Sequence, residues 1–146
     1  MKLLNFLFII LGTFGLIAVR MVEENLFYDP FLDYFHAASK QAPFPDFDWT
    51  KLIINYVFRF SLNLILSALI VHFIFINKEW TFQAVVLILL VFAITFPIYL
   101  YCIHTKFEIG YLFSFYMRRF VIQPLILLLI IPLFYYRKQL LRKVRN

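Results

Sequence analysis

The chain has 146 residues, of which 64% are hydrophobic, 21% aromatic and only 15% charged. Soluble domains are roughly 45–50% apolar and about 25% charged, and a domain this short has no core large enough to hide such an excess, so a soluble globular protein is excluded. The net charge of +6 does not indicate a nucleic-acid binder, because the basic residues flank apolar runs instead of forming a basic face.

Twenty Phe and nine Tyr against three Gly also exclude a disordered or low-complexity chain. A single cysteine leaves no intramolecular disulfide and no cysteine-rich metal site.

The first apolar run, Leu3 to Val19, lies between Lys2 and Arg20. A signal peptide shares its basic start and apolar middle. The exit Leu16-Ile17-Ala18-Val19-Arg20-Met21-Val22, however, lacks a small-x-small cleavage site, so a retained span is expected. Gly12 and Gly15 would let another helix approach closely, although their spacing is not that of the dimer motif.

The connection from Arg20 to Lys51 is rich in aromatic residues and is not a flexible linker. Asp29-Pro30 is a good helix start, with Asp as N-cap and Pro at the first helical position. Phe31, Phe35 and Ala38 then share a face, which predicts a short helix over about residues 30–39 lying flat on the membrane, apolar face down. Pro43 and Pro45 end this regularity, and Asp46 or Asp48 is expected to cap the next helix.

Leu52 to Ile76 and Phe82 to Ile103 each meet the need for about 20 apolar residues in a spanning helix. The turn between them, Asn77 to Thr81, is short enough to make them antiparallel neighbours. Trp80 suits the headgroup level, and Thr81 can cap the third helix. The fourth run extends from Tyr111 to Tyr136 with Arg118-Arg119 inside it, or else begins near Phe120; Pro124 and Pro132 are candidate kinks. The fold class expected is therefore all-α. It is a four-helix transmembrane bundle with spans over about 3–19, 52–76, 82–103 and 111–136, an outer loop over 20–51 and a basic tail over 137–146.

Charge asymmetry predicts the orientation. Arg137, Lys138, Arg142, Lys143 and Arg145 crowd the tail, whereas the 20–51 loop has six acidic and three basic residues. Lys and Arg favour the cytoplasmic side, so both termini and the Lys78 turn are expected inside.

The second run carries Asn55, Arg59, Asn63 and Ser67 at four-residue spacing, a polar stripe on one helical face. A charge in hydrocarbon costs about 2.5–3.5 kcal/mol on insertion scales, so the stripe should face protein or water. Arg59 and Arg118 each lie seven residues into their helices, roughly 10 Å deep at 1.5 Å per residue. Arg59, Arg118 and Arg119 are thus expected at one level, with Gln123 one turn below Arg119. Besides snorkelling to headgroup phosphates, two readings follow. Glu23, Glu24 or Asp29, with Arg20 nearby, pairs with these cations and locks the bundle; or the arginines, with Asn63 and Gln123, receive an anionic headgroup or a partner's carboxylate.

Catalysis is not expected. Cys102 and His104 would point about 200° apart on a helix, and His36, His72 and His104 have no ligand spacing. His72 reads as a hydrogen-bonded bundle histidine. No metal or cofactor is expected.

Arg20 with Glu23-Glu24-Asn25-Leu26-Phe27-Tyr28-Asp29-Pro30-Phe31, then Pro43-Phe44-Pro45-Asp46-Phe47-Asp48, then Tyr116-Met117-Arg118-Arg119-Phe120-Val121-Ile122-Gln123-Pro124 and Pro132-Leu133-Phe134-Tyr135-Tyr136 form a distinctive series. In these segments the chain resembles the exosortase F system-associated membrane protein family over nearly its whole length. The resemblance implies a small bacterial inner-membrane protein acting beside an exosortase, an enzyme that processes C-terminal sorting signals on exported proteins. The expectation is a non-catalytic accessory protein with membrane lipids and an exosortase as partners. The alternatives are a binder of an anionic lipid or small anion at the arginine level, and a structural subunit of another membrane complex.

Overall fold

The computed structural model describes residues 1–22, 25, 31, 34, 44–123 and 125–145. All regular structure among them is helical: α1 (Lys2–Met21), α2 (Trp49–Phe75), α3 (Lys78–His104), α4 (Tyr111–Ile122) and α5 (Leu127–Arg145). The first three are each long and apolar enough to cross a membrane, and α4 with α5 makes a fourth if the bent pair is one span. The chain is an all-α membrane protein. Most of the apolar side chains on its outer surface are exposed, as a lipid-facing surface requires.

Helix α1 lies antiparallel along α2. Phe8 stacks on Phe73 with ring centres 4.5 Å apart. Further along, the two expected small residues meet the neighbour: a Cβ on Gly12 would stand 2.7 Å from Ile70 Cγ1, and one on Gly15 would stand 2.8 Å from Leu66 Cδ2. The obstruction at Gly15 is the free end of a leucine, which can swing away. At Gly12 it is nearer the stem of a branched side chain. Gly12→Leu is therefore expected to cost about 1–3 kcal/mol by overpacking, while Gly15→Ala changes little. Thermal unfolding in mild detergent would show the contrast, and equal melting of the two variants would refute it.

Helix α2 begins three residues earlier than the apolar run suggests, because Asp48 caps it by accepting a hydrogen bond from the Thr50 amide at 2.9 Å. It ends at Ile76, whose left-handed backbone (φ 51°) reverses the chain within two residues. The cap of α3 is Asn77, not Thr81: its Oδ1 accepts from the amides of Glu79 and Trp80 at 2.9 and 3.3 Å. Thr81 is already inside the helix, where its hydroxyl donates to the Asn77 carbonyl. As expected, His72 is hydrogen-bonded within the bundle, with Nδ1 3.2 Å from Thr81 Oγ1. Further along the hairpin, Phe60 stacks on Phe92 at 3.8 Å, and the Tyr56 and Tyr99 hydroxyls meet at 3.1 Å in the interior.

The two ends of the bundle are both built from aromatic rings. At the α2–α3 turn, Trp80 is buried against Phe75 and Phe134, with Arg137 above its ring. At the α3–α4 turn, Lys106 and Phe107 adopt left-handed conformations and the Phe107 amide donates to the Cys102 carbonyl at 2.8 Å. This turn swings the Phe107 ring inward, and Gly110 (φ 155°) then starts α4. Phe31 and Phe44 pack on Phe107, Phe47 packs on those two in turn, and Tyr34 stacks on Phe107 at 5.4 Å.

The short surface helix expected over 30–39 lies outside the described residues, apart from Phe31 and Tyr34. Phe31 is fully buried among these rings, so it does not face lipid as expected. A lipid surface offers a ring only one apolar side, whereas the Phe44–Phe47–Phe107 cluster encloses it. Burial, and to a smaller degree the neighbouring Tyr111 phenol, pushes the Tyr34 phenol above its ordinary pKa.

The fourth run starts at Tyr111, the first of the two expected beginnings, but it is not continuous. Helices α4 and α5 meet at 60°. Pro97 and Pro132 both sit inside unbroken helices, so proline alone does not explain the break. The basic tail is no separate segment, because α5 carries it as helix to Arg145.

An arginine-lined cavity beside the helix break

The polar stripe of α2 turns inward. Arg59, Asn63 and Ser67 are only 3%, 6% and 0% exposed. Asn55, at the end of the stripe, satisfies itself by donating from Nδ2 to the Lys51 carbonyl of its own helix at 2.8 Å.

Asn63 shows how the end of α4 is satisfied from another helix. A helix end leaves carbonyls without intrahelical donors, and hydrocarbon supplies none. Gln123 still donates to the Arg119 carbonyl at 3.0 Å, but Leu125 turns back to the Gln123 carbonyl. The Ile122 carbonyl is instead met by Asn63 Nδ2 at 2.9 Å, from another helix. Asn63→Leu keeps the bulk and removes the donor. It is expected to cost about 0.6–1.7 kcal/mol, the range for such bonds between membrane helices. An unchanged unfolding midpoint would refute the brace.

The Asn63–Ile122 contact also sets the register of two parallel helices. One turn back along each stand Arg59 and Arg118, both buried and each with a partner in the fold. Arg119 points away from Arg118: adjacent residues on a helix diverge by about 100°, and its guanidinium lies 5.7 Å over the Phe115 ring, half-buried.

A cavity of about 260 Å³ lies beside the break. Arg20, Arg59, Asn63 and Gln123 contribute the polar part of its lining; Leu16, Ile17 and Val19 of α1 and Leu125, Leu127 and Leu128 bordering or within α5 form apolar walls. Ile17 and Leu128 are exposed on the outer surface, so the cavity opens sideways. Among the described residues its lining carries two guanidinium groups and no carboxylate. Low-polarity walls strengthen any interaction of those groups with an anion. Arg118 and Arg119, expected in the same site, do not line it.

Comparison with family models, curated proteins and solved structures finds no match.

The ion-pair candidates Glu23, Glu24 and Asp29 lie outside the described residues. Among the described residues no group of three metal-ligating side chains comes together. Cys102 is buried while His104 is exposed, so this pair is divided between interior and surface. The cavity walls were not readable from sequence, since α1 and α5 residues look like ordinary lipid-facing positions.

Proposed function

We propose that this protein is a non-catalytic accessory membrane protein of an exosortase-type protein-sorting system, working through helix–helix contacts and through the end of the bundle that carries Phe31 and Phe107. In this reading it resides in the bacterial inner membrane with both termini in the cytoplasm, an orientation supported by the basic residues at Lys2, Lys78 and Arg137–Arg145. The family context rests on the sequence resemblance. The observation that carries the mode of action is the side-opening cavity, where Arg20 and Arg59 stand among apolar walls. Such a slot accepts an apolar segment of a partner and answers one carboxylate on it, and buried polar contacts of this kind fix which helices associate.

Co-purification in mild detergent tests the proposal. The tagged chain should bring down the exosortase, and Arg20→Glu, at an exposed position on the cavity rim, should weaken recovery. A chain that never retains the exosortase overturns it.

The cavity's size and sideways opening also favour a second reading, an anionic lipid or small anion held by the same guanidinium groups. Native mass spectrometry would then retain a specific anionic species, lost in Arg20→Gln and unaffected by the exosortase.

A further inference from the structure

At the opposite end of the bundle a second group of cations converges, and it does not depend on the function proposed above. Helix α5 is apolar to Tyr136 and basic from Arg137 onward. Lys138, Leu141, Arg142 and Arg145 fall at i, i+3, i+4 and i+7, one face of that helix. This face borders a cavity of about 250 Å³ whose other walls are Phe75, Asn77 and Trp80 of the α2–α3 turn.

The face is held in place. Arg137 donates from Nη1 to Gln83 Oε1 at 2.9 Å and lies 5.7 Å over the Trp80 ring. These contacts tie α5 to the start of α3 and fix its rotation, so the three cations are aimed at the cavity and not spread around a free tail. Among the described residues the lining has no carboxylate.

The depth is informative too. The change from apolar to basic sequence in α5 falls beside Trp80, and aromatic rings with neighbouring cations mark the headgroup level. The floor of the cavity is apolar, from Phe75, Trp80 and Leu141.

We propose that Lys138, Arg142 and Arg145 bind the phosphate of an anionic phospholipid headgroup, with the glycerol and upper acyl chain resting on Phe75, Trp80 and Leu141. A free phosphate makes no use of the apolar floor, so the lipid is the assigned occupant. A tail that only signals topology would need the charges but not their convergence. Lys143 provides the comparison: it carries the same charge on the same turn and does not line the cavity.

The test is native mass spectrometry of the full chain in mild detergent, titrated with phosphatidylglycerol and with phosphatidylcholine of the same acyl chains. Phosphatidylglycerol should bind in preference. Arg142→Gln should weaken it about fivefold, the effect of one cation at a lipid surface, and Lys143→Gln should leave it within about twofold. Arg145→Gln, near the exposed end of α5, repeats the measurement where folding is not at stake. Glycerol phosphate at millimolar concentration should not displace the lipid. Equal losses in the Arg142 and Lys143 variants would show diffuse attraction and overturn the site, as would displacement by glycerol phosphate.

Discussion

Replacing Arg59 by alanine is expected to destabilise the bundle by about 3–5 kcal/mol, the combined cost of taking a buried charged group from its partner and of the space its long side chain leaves. Arg59 is 3% exposed and stands one turn from the Asn63–Ile122 brace. Alanine removes the guanidinium from its partner and opens space beside a cavity that already exists. Arg59→Met separates the two effects, because it restores most of the volume and none of the charge. Arg59→Lys keeps the charge but loses the planar fork, and so should fall between the parent and alanine. Reversible unfolding in detergent orders the series. If Arg59→Ala retains parental stability and its co-purification behaviour is unchanged, the arginine-centred account of this protein fails.

Phe31→Ala is expected to cost a comparable amount, about 3–5 kcal/mol for a fully buried phenylalanine. The ring has no exposed surface and lies 5.1–5.5 Å from Phe44, Phe47 and Phe107. These rings come from two segments far apart in sequence, so the loss should be regional. Amide exchange should accelerate at Phe107 and Tyr111 and stay unchanged around Trp80, whose cluster with Phe75 and Phe134 is separate. Phe31→Leu, which fills most of the space, should recover much of the protection. Uniform acceleration along the chain would mean that the cap is not an independent unit.

The spans were legible because lipid contact writes itself as long apolar runs, and the inward stripe was legible because Arg59, Asn63 and Ser67 repeat at helical spacing. The errors have physical causes. Helices α2 and α3 start earlier than their apolar runs because their caps, Asp48 and Asn77, are polar residues placed before the hydrocarbon begins. Arg118 and Arg119 are indistinguishable as sequence, yet only one of two adjacent helical positions can face inward. The break after Ile122 depends on a donor 59 residues away, and no local pattern contains that information. Phe31 was assigned to the lipid surface because a helical face records that it is apolar, not what covers it.

The bend between α4 and α5 has a consequence for the surrounding bilayer. The twelve residues of α4 reach about 18 Å at 1.5 Å each, and the apolar stretch of α5 from Leu127 to Tyr136 adds about 15 Å along its own axis. Inclined at 60° to an upright α4, that second piece rises only about half its length, so the two helices alone cover about 25 Å of a hydrocarbon thickness near 30 Å, and the four residues between them must cover the rest. Such a span has little length to spare for a thicker bilayer. Long-chain lipids should therefore lower the melting temperature of this protein relative to lipids of ordinary thickness.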